Sequence, residues 1–159
     1  MEKQLAPSFT IVPMTIETVQ QVSDIEAICF SEPWSYQAFL DELDNPMSRT
    51  WVAIADNNNV VGFLNAGFVL DEGSLNNIAV LNSYRRMGIA SLLLTAAMTY
   101  CNDHHISFFT LEVRKSNFGA IALYRSFGFQ PVGERKNFYT KPPEDALLMT
   151  KFFDDSNII

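Results

Sequence analysis

The chain has 159 residues, of which 48% are hydrophobic, and a formal net charge of −7. This length suits one domain with a hydrophobic core, so we expect a single domain over residues 1–159. Direct nucleic-acid binding is disfavoured, because phosphate contacts require clustered lysines and arginines. The apolar runs are much shorter than the ~18 residues of a membrane span, and residues 1–10 lack the apolar segment of a secretory signal. We therefore expect a cytoplasmic protein without a membrane segment.

The charges are distributed unevenly along the chain. Residues 1–84 contain eleven acidic and two basic residues, whereas residues 85–141 contain eight basic and three acidic residues. A basic second half suits an anionic ligand, and an acidic first half suits a cationic partner. The alternative is an uneven scatter of surface charges that arose by chance.

Apolar periodicity and turn signals predict elements in the order β-α-α-β-β-β-α-β-α-β-β, typical of a three-layer α+β fold in which helices flank one mixed sheet. Thr15 and Ser35 are predicted to cap the first two helices, and Ile28 is expected on the buried stripe of the first. Gly73 is predicted to turn the chain into the strand that follows it. The predicted elements are residues 9–14, 15–29, 35–45, 51–55, 60–70, 75–81, 88–103, 106–113, 117–127, 131–139 and 146–153.

Cysteine and histidine usage gives no sign of a disulfide framework or a metal site. Cys29 and Cys101 lie in helix-like segments, which favours reduced thiols with a structural role. His104 and His105 are adjacent at a predicted helix end, and no third ligand has the spacing of a metal site, so no metal is predicted.

A glycine-containing loop connects a predicted strand to the long apolar helix after it. The strand ends with Asn77-Ile78-Ala79-Val80, and the loop reads Arg85-Arg86-Met87-Gly88-Ile89-Ala90 before Ser91. A helix N-terminus has about half a positive charge and unpaired N–H groups, and small residues such as Gly88 let a ligand approach them. The loop could bind a phosphate or pyrophosphate. An ordinary strand-to-helix connection is the alternative.

Two polar side chains in apolar surroundings could carry out acid–base chemistry. Glu112 lies in an apolar run, although it could also be an outward-facing charge on an alternating strand. Tyr124 shares a predicted helix face with Asn117, which can cap that helix. A tyrosine there could donate a proton, although a core tyrosine is the more common case.

Six motifs occur in the same order as in a known family. They are Phe30-Ser31-Glu32-Pro33-Trp34-Ser35, Val69-Leu70-Asp71-Glu72, Asn77-Ile78-Ala79-Val80, Leu-Glu-Val-Arg-x-Ser-Asn from Leu111, Leu-Tyr-x-Ser-x-Gly-Phe from Leu123, and Arg135-Lys136-Asn137-Phe138-Tyr139. Over roughly residues 30–150 the chain resembles the GCN5-related N-acetyltransferase (GNAT) superfamily, and within it the RimI family. The resemblance implies a single mixed, mostly antiparallel sheet in which two strands splay apart to admit acetyl-CoA.

The resemblance also implies roles for individual residues. Glu112 falls on the general base of the family and Tyr124 on its general acid. The positions implied for acetyl-CoA binding are Ile78, Ala79, Val80, Arg85, Arg86, Met87, Gly88, Ile89, Ala90, Ser91 and Asn117. Ala90 departs from the family pattern, which more often has a second glycine there. Trp34, Phe138 and Tyr139 fall where the family lines its peptide groove, or they are core aromatics near the surface. Arg114 and Lys115 are expected to be solvated charges.

By this resemblance we expect an enzyme that transfers acetyl directly to the N-terminal alanine of a small-subunit ribosomal protein, recognised through a basic N-terminal peptide. One alternative is an enzyme of the same scaffold that acts on another N-terminus, a lysine or a small amine. A second is a non-catalytic acyl-CoA-binding regulatory module, which should have lost Glu112 or Tyr124. The sequence leaves open whether Cys101 is a nucleophile.

Overall fold

The computed structural model describes residues 7–153. In chain order the elements are β1 (Thr10–Pro13), α1 (Val19–Cys29), α2 (Tyr36–Glu42), β2 (Ser48–Ile54), β3 (Val60–Val69), β4 (Glu72–Val80), α3 (Ile89–Asp103), β5 (Phe108–Arg114), α4 (Phe118–Ser126), β6 (Gln130–Thr140) and β7 (Pro143–Phe152), with a short 3-10 helix at Asn82–Tyr84. The strands form one mixed sheet in the order β1-β2-β3-β4-β5-β7-β6, flanked by the helices. The predicted order of elements and the predicted fold class are confirmed.

Backbone contacts divide the described chain into two compact units. The first contains residues 7–65 and Asn77–Ala96, and the second contains Ala66–Asn76 and residues 97–153. The prediction of a single domain over residues 1–159 stays a prediction. None of the helices within residues 7–153 has the length and apolar character needed to cross a lipid bilayer.

In the first unit, α1 and α2 bury apolar faces in a common core. Val19, Val22 and Ile25 of α1 are buried, and so are Phe39 of α2 and Phe63 of β3. The rings of Phe39 and Phe63 meet edge to face, with 5.5 Å between their centroids. β1 lies antiparallel to β2 at the edge of the sheet.

The predicted helix caps of the first unit have different outcomes. Ser35 caps α2, because its Oγ accepts a hydrogen bond from the Ala38 N–H at 3.1 Å. The prediction for Thr15 is wrong: α1 begins at Val19, and Thr15 lies in a turn closed by its N–H donating to Thr18 Oγ1 at 2.9 Å. The prediction for Ile28 is also wrong, since this residue is 72% exposed on the outer side of α1.

In the second unit, β7 lies between β5 and β6 and pairs antiparallel with both. β5 pairs with β7 along its whole length, residues 108–114 facing residues 152–146. The parallel pairing of β4 with β5 covers only residues 72–74 and 108–110. Leu75 and Asn76 continue β4 beyond this ladder. The short ladder agrees with the predicted separation of two neighbouring strands.

The turn before β4 does not lie at Gly73, so that prediction is wrong. Gly73 is inside β4, and a Cβ atom placed on it would lie 2.6 Å from the Phe109 ring and 2.9 Å from the Phe68 ring. The turn instead uses Leu70, which has a φ of 55° and is 93% exposed. The glycine is therefore needed for close packing in the core and not for turning the chain.

Candidate active site

The loop between β4 and α3 has the geometry of an open helix N-terminus. Arg86 and Gly88 have φ angles of 64° and 80°, and no heavy atom lies within 4 Å of a Cβ atom placed on Gly88. Helix α3 begins immediately after, and the Leu92 N–H donates to the Gly88 carbonyl at 3.0 Å. The positive φ of Gly88 and the open space beside it leave room for an anion at the N-terminus of α3.

Side chains around this loop differ in exposure. Arg86, Met87 and Gly88 are exposed, Ile89 is buried, and Ala90 and Ser91 are half-buried. Arg85 folds back on the strand, and its Nε donates to the Val80 carbonyl at 3.2 Å. The arginine therefore ties the loop to the end of β4 and keeps a positive charge at the loop.

The strand before this loop packs closely on β3. Ala79 is buried, whereas Ile78 and Val80 are half-buried. The Ala79 carbonyl oxygen would lie 3.0 Å from a Cβ atom placed on Gly62 of β3, so the two backbones approach closely there. The backbone of residues 78–80 therefore packs against β3 on one side.

In the second unit, β5 sends alternate side chains to opposite faces. Phe109, Leu111 and Val113 are buried, whereas Glu112 lies on the half-buried face. The Glu112 Oε1 atom is 3.7 Å from Arg135 Nε, and the Glu112 side chain is 30% exposed. Glu112 is therefore a carboxylate on the more open face of the strand that retains access to solvent.

A bulge in β6 places further side chains on the face of Glu112. Arg135 pairs with Ala146 and Tyr139 pairs with Glu144, so three residues of β6 oppose Asp145 alone. The Asn137 N–H donates to Asp145 Oδ1 at 2.8 Å, which holds the bulge and lowers the pKa of Asp145. Glu112, Arg135 and Tyr139 face residues 148, 146 and 144 of β7, which are an even number of positions apart. Arg135 and Tyr139 therefore lie on the same face of the sheet as Glu112.

Tyr139 is held between a cation and a second ring. The Arg114 guanidinium carbon lies 4.2 Å from the centroid of the Tyr139 ring, and the Phe138 ring meets it edge to face at 5.0 Å. Burial raises the pKa of Tyr139, the charge of Glu112 raises it further, and Arg114 opposes both. The phenol of Tyr139 and the carboxylate of Glu112 are thus close enough to interact electrostatically.

Arg114 is not the solvated charge expected from the sequence. Its guanidinium donates to the carbonyls of Pro142 at 2.9 Å and Lys141 at 3.1 Å, and pairs with Glu144 at 3.3 Å. The expectation was wrong because the β6–β7 turn folds over this arginine. Lys115 pairs with Glu134 at 2.9 Å on the surface, with 43% of its side chain exposed.

Tyr124 is buried on α4 and packs against Phe129, with 5.8 Å between the ring centroids. Burial raises the pKa of Tyr124 well above its usual range, and Tyr139 contributes in the same direction. The hydroxyl is therefore protonated at neutral pH. At the start of α4, Asn117 Oδ1 accepts from the Ala120 N–H at 3.2 Å, which leaves the Asn117 side-chain N–H groups as donors.

Trp34 belongs to the first unit and lies just before α2. Its ring packs against Phe39, with 5.3 Å between centroids. An open groove beside it is lined by Trp34, Ala38, Asp41 and Glu42, so an aromatic ring and two carboxylates border the same space. This combination suits a cationic side chain.

The residues singled out from the sequence fall into two sets. Trp34, residues 78–80 and residues 85–91 lie in the first unit, and Glu112, Asn117, Tyr124, Phe138 and Tyr139 lie in the second. Within the second unit, the charge of Glu112 contributes to the raised pKa of Tyr139, and Tyr139 contributes to the raised pKa of Tyr124.

The structure adds residues that the sequence did not single out. Arg135 pairs with Glu112, and Glu26 of α1 is a buried carboxylate. A signal for Glu26 was available, because it follows Val19 and Val22 at helical spacing on the apolar stripe of α1. Arg135 begins one of the six motifs of the resemblance, but no sequence signal pairs it with Glu112, because the bulge sets the face on which it lies.

Cys101 lacks the properties of a catalytic nucleophile. It is fully buried, and burial raises the pKa of its thiol to about 12. A reactive cysteine instead needs a lowered pKa and access to its substrate. Residues 7–153 contain no group of three His, Cys, Asp or Glu side chains arranged to hold a metal ion.

The first unit thus presents an open helix N-terminus after a strand, and the second unit contains a carboxylate and a protonated tyrosine. The chain belongs to the acetyltransferase (GNAT) family, whose sequence profile matches residues 19–129. The resemblance deduced from the motifs is confirmed.

Two relatives and one solved structure place the chain within this family. A ribosomal protein bS18-alanine N-acetyltransferase of Escherichia coli K12 is 35% identical over 127 residues, 79% of this chain and 84% of the relative. An N-alpha-acetyltransferase of Saccharolobus solfataricus is 35% identical over 163 residues, 94% of this chain and 96% of the relative. The crystal structure of the ribosomal-protein-S18-alanine N-acetyltransferase of Escherichia coli has a TM-score of 0.84 and 29% identity, covering 96% of this chain and 99% of that chain.

Proposed function

We propose that this protein is an acetyl-CoA-dependent N-α-acetyltransferase that acetylates the N-terminal alanine of a small-subunit ribosomal protein by direct transfer. The observation that carries the proposal is the set formed by Glu112, a carboxylate with access to solvent, and Tyr124, a buried and protonated hydroxyl. The relative and the solved structure named for alanine N-acetylation support the choice of acceptor. A ribosomal acceptor implies a cytoplasmic location.

Each member of this set has a distinct part in acetyl transfer. The acceptor amine must be neutral to attack the thioester, and a free α-amino group has a pKa near 7.7–8.0. Glu112 accepts a proton from the amine, directly or through water, as the C–N bond forms. Tyr124 donates its proton to the thiolate that leaves as the C–S bond breaks. Cys101 takes no part, because its thiol is buried and protonated.

The first unit and α4 supply the groups that would hold acetyl-CoA. The backbone N–H groups at residues 86–91 and the positive charge of Arg85 and Arg86 suit its pyrophosphate. The backbone at Ile78, Ala79 and Val80 offers hydrogen bonds to the amides of the pantetheine arm, and the free side-chain N–H groups of Asn117 offer another.

For the acceptor peptide we propose contacts with Trp34, Phe138 and Tyr139. Phe138 is 44% exposed, and the groove beside Trp34 has the carboxylates of Asp41 and Glu42 on its wall. These charges belong to the acidic first half of the chain and suit a basic peptide. The charges therefore favour an acceptor peptide that has arginine or lysine after its N-terminal residue.

A wider N-terminal specificity is the main alternative, because the relative from Saccharolobus solfataricus is named simply as an N-alpha-acetyltransferase. Transfer to a lysine or a small amine on the same scaffold is another. The presence of both Glu112 and Tyr124 speaks against a non-catalytic acyl-CoA-binding regulatory module.

The test is acetylation of synthetic peptides by the purified protein with acetyl-CoA, followed by mass spectrometry. The panel contains an Ala-led basic peptide, an Ala-led neutral peptide of equal length, Ser-led and Met-led basic peptides, and an N-terminally blocked peptide with one lysine. We expect the Ala-led basic peptide to have the lowest KM and to lose that advantage as salt rises, because exposed charges are screened beyond about 8–10 Å at physiological ionic strength.

Two results would contradict the proposal. Equal KM values for the basic and neutral peptides would remove the electrostatic recognition, and acetylation confined to the lysine would remove the N-terminal specificity. Mass spectrometry of small ribosomal subunits from cells with and without the gene then checks the acceptor: a protein with an N-terminal alanine should lose about 42 Da, one acetyl group, when the gene is absent.

A further inference from the structure

A buried carboxylate lies outside the residues assigned so far. Glu26 is 1% exposed and occupies the inner face of α1 beside Val22 and Ile25. A carboxylate loses much hydration when buried, so such positions normally hold an apolar residue unless the charge is well bonded.

The carboxylate joins three parts of the first unit. Its Oε2 atom accepts from the Trp34 N–H at 2.9 Å, and its two oxygens accept from Asn77 Nδ2 at 2.7 Å and 2.6 Å. Helix α1 is thereby bonded to the segment before α2 and to β4, at the residue directly before Ile78. These hydrogen bonds lower the pKa of Glu26, but burial outweighs them and raises it.

The bond to Trp34 acts on the short segment between α1 and α2. Pro33 has no N–H, so the Trp34 N–H is the first donor after it. Ser35 begins the cap of α2, and the Trp34 ring packs on Phe39. Glu26 therefore fixes the backbone of Trp34, and Phe39 fixes its ring. The part of the groove that Trp34 lines is fixed with it.

Core stability alone does not account for a carboxylate at this position. Replacing a buried charge by an apolar residue of similar volume is often neutral or stabilising. What an apolar side chain cannot do is accept hydrogen bonds from Trp34 and Asn77 together and so set the position of one relative to the other.

We propose that Glu26 is a positioning residue for the acceptor peptide: it fixes Trp34 relative to β4 at Asn77, so that the groove beside Trp34 is preformed. The proposal rests on the function proposed above, because it assigns Trp34 to the acceptor side. Loss of the carboxylate should therefore weaken peptide binding much more than acetyl-CoA binding.

The experiment compares Glu26→Leu with Glu26→Gln, and uses Asp24→Leu on the exposed side of α1 as the matched control. We expect Glu26→Leu to raise the KM for the Ala-led basic peptide by about tenfold, the scale of one lost charge-assisted hydrogen bond. Its KM for acetyl-CoA should change by less than about twofold. Glu26→Gln should restore the peptide KM, because its carbonyl accepts from Trp34 while the Asn77 amide turns to accept from Gln. Asp24→Leu should change neither KM.

A second readout does not depend on activity. In the wild-type protein the Trp34 amide should be protected from hydrogen exchange, and Glu26→Leu should remove that protection while Glu26→Gln keeps it. If Glu26→Leu fails to fold, Glu26→Asp replaces it in the same measurements. Its carboxylate is one methylene shorter and should not reach Trp34 and Asn77 together.

The inference is overturned if Trp34 exchange and the peptide KM are unchanged in the folded Glu26→Leu protein, or if both KM values rise equally. If the wild-type protein acetylates no Ala-led peptide, the proposed function fails instead. The Trp34 exchange rates then still decide whether Glu26 fixes this segment.

Discussion

The Arg114 guanidinium lies 4.2 Å from the centroid of the Tyr139 ring, and the same group donates to the carbonyls of Lys141 and Pro142. One side chain thus closes the β6–β7 turn and orients the aromatic ring that interacts with Glu112 and Tyr124. A planar guanidinium can serve two carbonyls and a ring face together, whereas a lysine ammonium cannot.

We therefore expect Arg114→Lys to lower the free energy of unfolding by roughly 1–2 kcal/mol, the scale of one or two lost hydrogen bonds. The measurement is the midpoint of urea denaturation. The control is Lys115→Ala, which removes the exposed pair with Glu134 and should change the free energy of unfolding much less. Equal losses in the two variants would contradict a special role for Arg114.

Tyr124→Phe tests the proposed acid. Because only the hydroxyl is removed, kcat should fall by about 10²–10⁴-fold while acetyl-CoA affinity barely changes. Stopped assays at saturating peptide measure kcat, and calorimetric titration measures affinity. A variant with near-normal kcat would leave Tyr124 as a core tyrosine only.

The raised pKa of Tyr124 predicts a pH profile as well. Burial favours the neutral phenol, so the wild-type kcat should not decline through loss of this acid until the pH exceeds the ordinary tyrosine value of about 10. Because the pKa of Tyr124 is higher in the folded than in the unfolded state, its contribution to the free energy of unfolding is fully present below about pH 10 and is lost as the pH rises further. An alkaline decline near pH 8 that disappears in Tyr124→Phe would contradict the raised pKa of Tyr124.

Glu112→Gln removes the proposed general base but keeps the shape of the side chain. The variant should have a lower kcat, and the deficit should shrink as rising pH deprotonates the acceptor amine without help. The comparison is made between pH 6.5 and 9.5, which brackets the amine pKa of about 7.7–8.0. Glu134→Gln, which removes an exposed carboxylate on β6 of the same unit, should leave the profile unchanged. A Glu112→Gln deficit that does not vary with pH would exclude a general base.

Gly88→Val tests the loop before α3. The valine side chain would fill the open space beside the helix N-terminus and resist a φ of 80°, so acetyl-CoA binding should weaken in a protein that still folds. Asn58→Val is the matched control, because Asn58 has a similar φ of 66° in the turn between β2 and β3. Both variants should lose stability, but Gly88→Val alone should lose affinity in calorimetric titration. Unchanged affinity would reject a pyrophosphate site at this loop.

The cysteines provide a test of direct transfer. Burial raises the pKa of Cys101 to about 12, so in the native protein at pH 8 iodoacetamide should label Cys29, which is half-buried, well before Cys101. Cys101→Ala should retain kcat. A covalent acetyl group on Cys101, detected by mass spectrometry after incubation with acetyl-CoA, would contradict direct transfer.

Local signals predicted much of the fold. Ser35 and Asn117 occur where a capping side chain precedes an apolar helix, and both accept the expected N–H. Thr15 offers the same signal, but the helix begins four residues later because Thr18 closes a turn first. Gly73 has the residue type of a turn, yet its position depends on the rings of Phe68 and Phe109, which only tertiary packing brings to it.

For the candidate site, the sequence pointed to individual residues but not to the connections between them. The resemblance indicated Glu112, Tyr124 and Tyr139, whereas the partners Arg135 and Arg114 depend on the β6 bulge and on the turn after it. Both features arise from strand register, which no single stretch of sequence specifies. Glu26 was hidden for a related reason, since its partners Trp34 and Asn77 are 8 and 51 positions away.

The place of β7 in the sheet has a consequence for synthesis of the protein. This strand follows β5 and β6 in the chain but lies between them and pairs with both. While a ribosome is still adding residues 143–152, the facing edges of both older strands have no partner, and unpaired edges invite aggregation. The nascent second unit therefore cannot complete its sheet until β7 has left the exit tunnel, and a chaperone that covers strand edges would act during that interval.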